Sequence, residues 1–115
     1  MASVKPLISV DWLADSLGRG DLKVVDGTWL MPGADDPLPE HFIPGAQTFD
    51  IDAVADTASY MTHMLPPADV FENAMSAMGI LETDTLIIYD RHGIRTAPRV
   101  WWTCRMFGHE TVSIL

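Results

Sequence analysis

The residues with the clearest capacity for chemistry form a short segment that follows an apolar run near the end of the chain. The segment consists of Asp90, Arg91, His92, Gly93, Ile94 and Arg95. Gly93 lets the backbone turn tightly, so several N–H groups can converge on one point. A helix after the segment adds the positive end of its dipole. The pattern predicts a cradle for an anion or a thiolate, and an ordinary strand-to-helix connection stays open as the alternative.

The single cysteine, Cys104, lies outside that segment, among Trp101, Trp102, Met106 and Phe107. A thiol with these neighbours is typical of a hydrophobic core, so we predict a buried and unreactive side chain. A reactive cysteine needs a thiolate of lowered pKa, which apolar surroundings disfavour. One cysteine allows no intrachain disulfide, which is consistent with a reducing compartment.

Three carboxylates, Asp50, Asp52 and Asp56, suggest a metal cluster at first sight. The spacing lacks the glycine and the terminal glutamate of an EF-hand loop, so capping of turns is the prediction. No metal and no cofactor is expected. We interpret His41 and His109, like His92 of the loop, as surface or turn histidines.

The elements that must position the loop alternate between helices and strands. Ser9 caps a predicted helix that ends before Gly18, and a second helix is expected from Pro67 to Met78. Thr96 is the expected N-cap of a third helix reaching about Phe107. The predicted strands and extended segments are Leu22–Asp26, Gln47–Ile51, Leu86–Tyr89 and Thr111–Leu115. This alternation predicts an α/β sandwich with a parallel sheet, in which prolines mark residues 31–44 as a surface loop.

Composition narrows the class of partner. The chain carries 7 Lys and Arg against 16 Asp and Glu, a net charge of -9, which argues against nucleic acid and anionic membranes. No run approaches the length of a membrane span, and the N-terminus lacks the pattern of a signal peptide. We therefore expect a soluble, cytoplasmic protein. The chain also ends inside a predicted strand, which suggests a truncated domain.

Four segments, in this order and spacing, resemble the N-terminal, non-catalytic domain of two-domain rhodaneses, the thiosulfate and 3-mercaptopyruvate sulfurtransferases. They are Val25–Pro32, Ile43–Asp52, His63–Pro66 and the stretch from Tyr89 through Ala97–Trp102 to His109. The resemblance implies a single rhodanese-like domain over residues 1–115, a three-layer sandwich with a central parallel sheet flanked by helices. It also implies a missing C-terminal rhodanese domain that carries the catalytic cysteine.

The resemblance assigns roles to individual residues. Asp90 aligns with the sulfur-carrying cysteine, and the loop that it begins has the six-residue length of sulfurtransferases rather than the seven of dual-specificity phosphatases. Asp52 and His63 match residues proposed to assist the partner domain, with capping of loops as the alternative. Trp29 resembles a tryptophan of the substrate cleft. Arg95, at the mouth of the loop, could attract thiosulfate or a carboxylate-bearing thiol, or be a solvated surface arginine.

One departure from the family pattern precedes Ile43, where Phe42 stands in place of the usual histidine and His41 lies one position earlier. Two functions stay open. The chain is the inactive half of an enzyme that moves sulfur from a small donor to a thiol or cyanide, through a persulfide on the missing domain. Alternatively, it is a stand-alone inactive rhodanese domain that binds or regulates a partner.

Overall fold

The computed structural model describes residues 5–29, 43–56, 58, 64–91 and 94–115. Its helices are α1 (Val10–Ser16), α2 (Ala68–Ala77) and α3 (Ala97–Met106). Its strands are β1 (Leu22–Asp26), β2 (Gln47–Thr48), β3 (Thr85–Tyr89) and β4 (Val112–Ile114). These elements match the predicted order, and no helix in this part of the chain is long and apolar enough to cross a membrane. Most of the predicted loop at residues 31–44 lies outside the described residues.

The four strands form one parallel sheet in the order β2-β1-β3-β4. Central strand β3 is buried on both faces, since Leu86, Ile87 and Ile88 are each 0% exposed, as the continuous apolar run predicts. Because side chains alternate across a strand, Leu86 and Ile88 join the core beneath α2 and α3. Ile87 instead packs with Leu13 of α1 on the other face. The predicted three-layer arrangement, a parallel sheet between helices, is confirmed.

The predicted extended segment Gln47–Ile51 is shorter in the structure than expected. Only Gln47–Thr48 forms a strand, because the Asp50 carboxylate accepts hydrogen bonds from the N–H groups of Asp52 (3.0 Å) and Ala53 (3.2 Å). An aspartate that bonds its own downstream backbone in this way stabilises a turn in competition with a strand.

The sheet brings two loops together at its carboxyl edge. Asp26 pairs with Tyr89 in the parallel register, so the segments that follow β1 and β3 leave the sheet side by side. Gly27 lies directly against α3, where an added Cβ atom would meet Val100 Cγ2 at 2.8 Å. The absence of a side chain at Gly27 therefore allows α3 to approach the sheet closely.

Candidate functional site

The loop after β3 is organised around the carboxylate of Asp90. Asp90 Oδ2 accepts hydrogen bonds from the N–H groups of Arg95 (2.7 Å), Thr96 (2.9 Å) and Ala97 (2.8 Å). Asp90 Oδ1 accepts one from the N–H group of Ile94 (2.8 Å). The N–H groups thus converge on one point, and the first turn of α3 directs its positive end at the carboxylate. The anion at the centre of this cradle is therefore the carboxylate of Asp90.

Thr96 occupies the N-cap position of α3, but its side chain does not cap the helix, so that part of the prediction is wrong. The Thr96 hydroxyl donates to the carbonyl oxygen of Gly27 (2.6 Å) and accepts from the N–H group of Trp29 (3.1 Å). The capping role passes to Asp90, the first residue of the loop, whose carboxylate accepts hydrogen bonds from the N–H groups of Thr96 and Ala97. Thr96 instead ties the start of α3 to the loop that follows β1.

A second carboxylate, Asp26, lies beside the cradle at the end of β1. Asp26 is 2% exposed, and its Oδ2 lies 3.1 Å from Arg91 Nε. That contact lacks the alignment of a hydrogen bond, so the attraction between these atoms is mainly electrostatic. Thr28 completes the link, because its hydroxyl donates to Asp26 Oδ1 and accepts from the N–H group of Arg91 (2.9 Å). The first residue after Asp90 is thereby held against β1.

Ile94 carries the backbone strain of the loop. Its φ of 58° lies in the left-handed region, and it is the one non-glycine residue with a positive φ among the described residues. Such a conformation is unfavourable for a β-branched side chain and persists only where the surroundings impose it. Here it directs the Ile94 N–H group at Asp90. Gly93, which the sequence singled out for this turn, lies outside the described residues, as does His92.

A small cavity of about 190 Å³ opens next to the loop, lined by Trp29, Ile51, Arg95, Thr96 and Arg99. Two hydrogen bonds fix the Trp29 wall, one from its backbone N–H group to Thr96 and one from its indole Nε1 to Asp52 Oδ1 (3.0 Å). Trp29 and Arg95, the two predicted cleft residues, therefore lie at the same cavity. Sequence reasoning missed Arg99 as a cavity residue, because only the fold shows which side of α3 faces Trp29.

Of the two residues predicted to assist the partner domain, Asp52 and His63, the histidine lies outside the described residues, as His41 does. The structure places Asp52 on the indole of Trp29, next to the cavity. Asp50 and Asp56 bond to nearby backbone N–H groups, so the predicted capping of turns is what their carboxylates do. The assisting roles of Asp52 and His63 stay a prediction.

His109, predicted to be a surface or turn histidine, is buried and follows the turn at residues 107–108. It is 8% exposed, and its Nε2 lies 2.7 Å from the carbonyl oxygen of Asp84. His109 borders a larger cavity of about 680 Å³ between the ends of α2 and α3. That cavity lies toward the amino end of β3, whereas the cradle follows its carboxyl end, so the two are separate features.

Cys104 is a core residue, as predicted. It is 1% exposed inside α3, and burial raises the pKa of its thiol to about 12. A thiol with this pKa is protonated at neutral pH and therefore cannot act as the nucleophile of sulfur transfer.

The fold and this site define a class of protein, a parallel α/β domain with an anion cradle between a central strand and the following helix. The model of the rhodanese-like domain matches residues 9–115. The chain therefore belongs to the rhodanese-like domain family, as its sequence segments indicated.

The curated proteins that the chain resembles include sulfurtransferases of plants and bacteria. The chain is 42% identical to thiosulfate/3-mercaptopyruvate sulfurtransferase 2 of Arabidopsis thaliana, over 96% of this chain and 34% of that protein. It is 40% identical to 3-mercaptopyruvate sulfurtransferase of Escherichia coli, over 94% of this chain and 40% of that protein. The chain thus spans between a third and two fifths of these relatives.

Solved structures give the same assignment of fold. The crystal structure of SseA from Escherichia coli, a 3-mercaptopyruvate sulfotransferase with the rhodanese fold, superposes with a TM-score of 0.86 and 37% sequence identity. The match covers 97% of this chain and 45% of SseA. Tum1 of Saccharomyces cerevisiae superposes with a TM-score of 0.80 over 91% of this chain. The sandwich seen here is therefore the rhodanese fold.

Proposed function

We propose that this chain is the half without the nucleophile in a two-domain sulfurtransferase. The intact enzyme moves sulfur from 3-mercaptopyruvate or thiosulfate to a thiol or cyanide. A cysteine of a domain outside these residues carries the sulfur as a persulfide, and this half shapes the substrate cleft. The sulfurtransferase relatives support the reaction class, and the share of their length that this chain spans supports the division into halves.

One observation carries the proposal, the occupation of the cradle by the Asp90 carboxylate. Four backbone N–H groups that could stabilise a thiolate or a persulfide are already bonded to its two oxygens at 2.7–2.9 Å. A carboxylate oxygen cannot accept a sulfane sulfur to form a persulfide. Cys104 offers no replacement, because its thiol is buried and protonated.

The test is to express the complete reading frame, supply 3-mercaptopyruvate or thiosulfate, and locate the added sulfur by peptide mass spectrometry. We expect the sulfur on a cysteine outside residues 1–115, with Cys104 unmodified and the Asp90→Asn variant still able to form the persulfide. Sulfur on Cys104 contradicts the proposal. So does a complete reading frame that ends at Leu115, which favours the alternative of a stand-alone binding or regulatory domain.

The geometry of the cradle has its own test in the double variant Asp90→Cys with Cys104→Ala, which places the one thiol at the start of the loop. The N–H groups that face Asp90 stabilise a thiolate there, so we expect a pKa below the usual value near 8.5. The pH dependence of iodoacetamide alkylation measures it. A normal or raised pKa would show that the N–H groups require the carboxylate in order to converge.

A further inference from the structure

The larger cavity, which lies toward the amino end of β3, has the size of a small-molecule site. Its volume of about 680 Å³ falls within the roughly 300–1,000 Å³ that such sites occupy. It opens where α2, the turn after α2 and the turn after α3 meet, and residues of all three line it. The loop that begins at Asp90 follows the opposite end of β3, so the proposed sulfur transfer assigns no role to this cavity.

Part of the cavity wall is aromatic and aliphatic. Phe71 of α2 and Phe107, which directly follows α3, stack with their ring centroids 4.4 Å apart, and both line the cavity. Met75 adds a flexible thioether, and Leu81 lines the cavity while it is 65% exposed to solvent. A ligand with an apolar body that covers this wall removes apolar surface from water, which favours binding through the hydrophobic effect.

The charged side chains that line the cavity are carboxylates. Glu72 and Glu82 both line it, and no Lys or Arg of the described residues does. Neither glutamate forms a salt bridge within the part of the chain that the structure describes. Lys23 lies near the same end of the sheet, but its ammonium pairs with Asp84 at 3.7 Å and does not line the cavity. The cavity therefore carries a negative potential, which attracts cations and repels anions.

His109 adds a neutral hydrogen-bond acceptor to the wall. The carbonyl oxygen of Asp84 can only accept a hydrogen bond, so its contact of 2.7 Å with His109 Nε2 places the ring proton on Nε2. In the neutral imidazole, Nδ1 then carries a lone pair and is able to accept a hydrogen bond. His109 lines the cavity, and its Nδ1 has no hydrogen-bond partner among the described residues. The histidine thus offers a ligand N–H group an acceptor that complements the two carboxylates.

We infer that this cavity binds a small organic cation, a molecule in which an ammonium group is attached to an apolar body. Glu72 and Glu82 balance the charge of the ammonium, His109 accepts one of its N–H groups, and the apolar wall covers the rest of the molecule. The two carboxylates exclude an anion, and an uncharged apolar molecule gains only the hydrophobic contribution. The site is independent of the proposed function, because none of its residues belongs to the loop or lines the cavity beside Trp29.

Probes that share an indole ring and differ in charge test the inference. Tryptamine carries an ammonium group, tryptophol a hydroxyl group and indole-3-propionate a carboxylate. Each is titrated at constant ionic strength into the isotope-labelled protein made from the complete reading frame. NMR follows the backbone N–H resonance of Gly108, which lines the cavity, with that of Gly27 at the other end of the sheet as the reference. We expect saturable shifts at Gly108 with tryptamine, binding of tryptophol weaker by about fivefold, and no saturable shift with indole-3-propionate.

Variants then assign the binding to particular side chains. Glu72→Gln and Glu82→Gln should each weaken tryptamine binding by about fivefold, because each removes one negative charge from the cavity wall. Glu110→Gln is the matched control, since Glu110 is also exposed and follows His109, yet does not line the cavity. Ser76→Phe places a bulky ring at an exposed position that lines the cavity, so we expect it to abolish tryptamine binding. All four positions are on the surface, and circular dichroism checks that the variants are folded.

Three results would overturn the inference. Equal affinity for tryptamine and indole-3-propionate shows that the cavity does not select for positive charge. An equal loss in Glu82→Gln and in Glu110→Gln shows that the effect comes from the net charge of the protein rather than from the cavity wall. Larger shifts at Gly27 than at Gly108, or wild-type affinity in Ser76→Phe, show that tryptamine binds elsewhere.

Discussion

Two aspartates at the ends of neighbouring parallel strands are held in different ways. Asp26, at the end of β1, is almost completely buried and faces the guanidinium of Arg91. Asp90, directly after β3, is bonded to four backbone N–H groups of the loop and of α3. One charge is balanced by a side chain and the other by a backbone conformation.

The difference explains why the loop keeps its shape without a sulfur-carrying residue. A side-chain partner can be removed together with the charge that it balances, whereas the N–H groups around Asp90 cannot be substituted away. Replacing Asp90 therefore leaves the start of α3 with unsatisfied donors. In this domain Asp90 is the structural centre of the cradle, and four tests can break or sharpen the comparison.

The largest effect is expected at Asp26. Asp26→Ala removes the anion that faces Arg91 and the acceptor of the Thr28 hydroxyl, so we expect the free energy of unfolding to fall by about 4 kcal/mol. Chemical denaturation measures it. Adding Arg91→Met should recover about 2 kcal/mol relative to the sum of the single changes. Strict additivity would show that the ion pair does not stabilise the fold.

A somewhat smaller loss, about 3 kcal/mol, is expected for Asp90→Ala. Water can reach the exposed Ile94 and Arg95, so part of the lost bonding is replaced. Asp90→Asn, which keeps one acceptor oxygen, should cost about half as much in the same denaturation experiment. A loss below about 1 kcal/mol for Asp90→Ala would contradict the structural role of the carboxylate.

The third test concerns the buried thiol of Cys104, which lies in α3, the helix that follows the loop. The ordinary pKa of 9.0 applies to Cys104 in the unfolded chain, whereas the folded thiol stays protonated up to about 12. Above pH 9 the unfolded state therefore loses a proton that the folded state retains, and stability falls as pH rises. We expect a slope of roughly 1 kcal/mol per pH unit. Cys104→Ala should remove the contribution of the thiol, most clearly between pH 9 and 10, below the range in which Tyr89, whose pKa burial also raises, begins to titrate. An identical slope in the variant over that range would contradict the burial argument.

The smallest effect is expected at Ile94. Ile94→Gly relieves the strain of a positive φ, while glycine costs about 1 kcal/mol of extra backbone entropy on folding. The two terms offset each other in part, so we expect a net stabilisation of at most about 1 kcal/mol in thermal denaturation. Ile94→Val keeps the strain and should leave stability unchanged. A clear loss in Ile94→Gly would show that the Ile94 side chain stabilises the loop.

Features that depend on contacts between neighbouring residues were predictable from the sequence, whereas features that depend on contacts between distant residues were not. The Ser9 cap bonds to Trp12 within one helical turn, and β3 is defined by its own apolar residues, so both were predictable. Thr96 was misinterpreted because its hydroxyl bonds to the segment after β1, which is distant in sequence. The burial of His109 was missed for the same reason, since its ring contacts the carbonyl oxygen of Asp84, which lies just before β3.

The sequence by itself determined the order of the elements, the parallel α/β class, the family, and the absence of a thiol at the start of the loop. These follow from residue types and from short-range patterns of polar and apolar side chains. The tertiary structure alone decided where the charge of Asp90 is balanced and that Arg99 joins Arg95 and Trp29 around one cavity. The reason is geometric, because the directions of N–H groups and side chains depend on how α3 packs against Gly27 and the sheet.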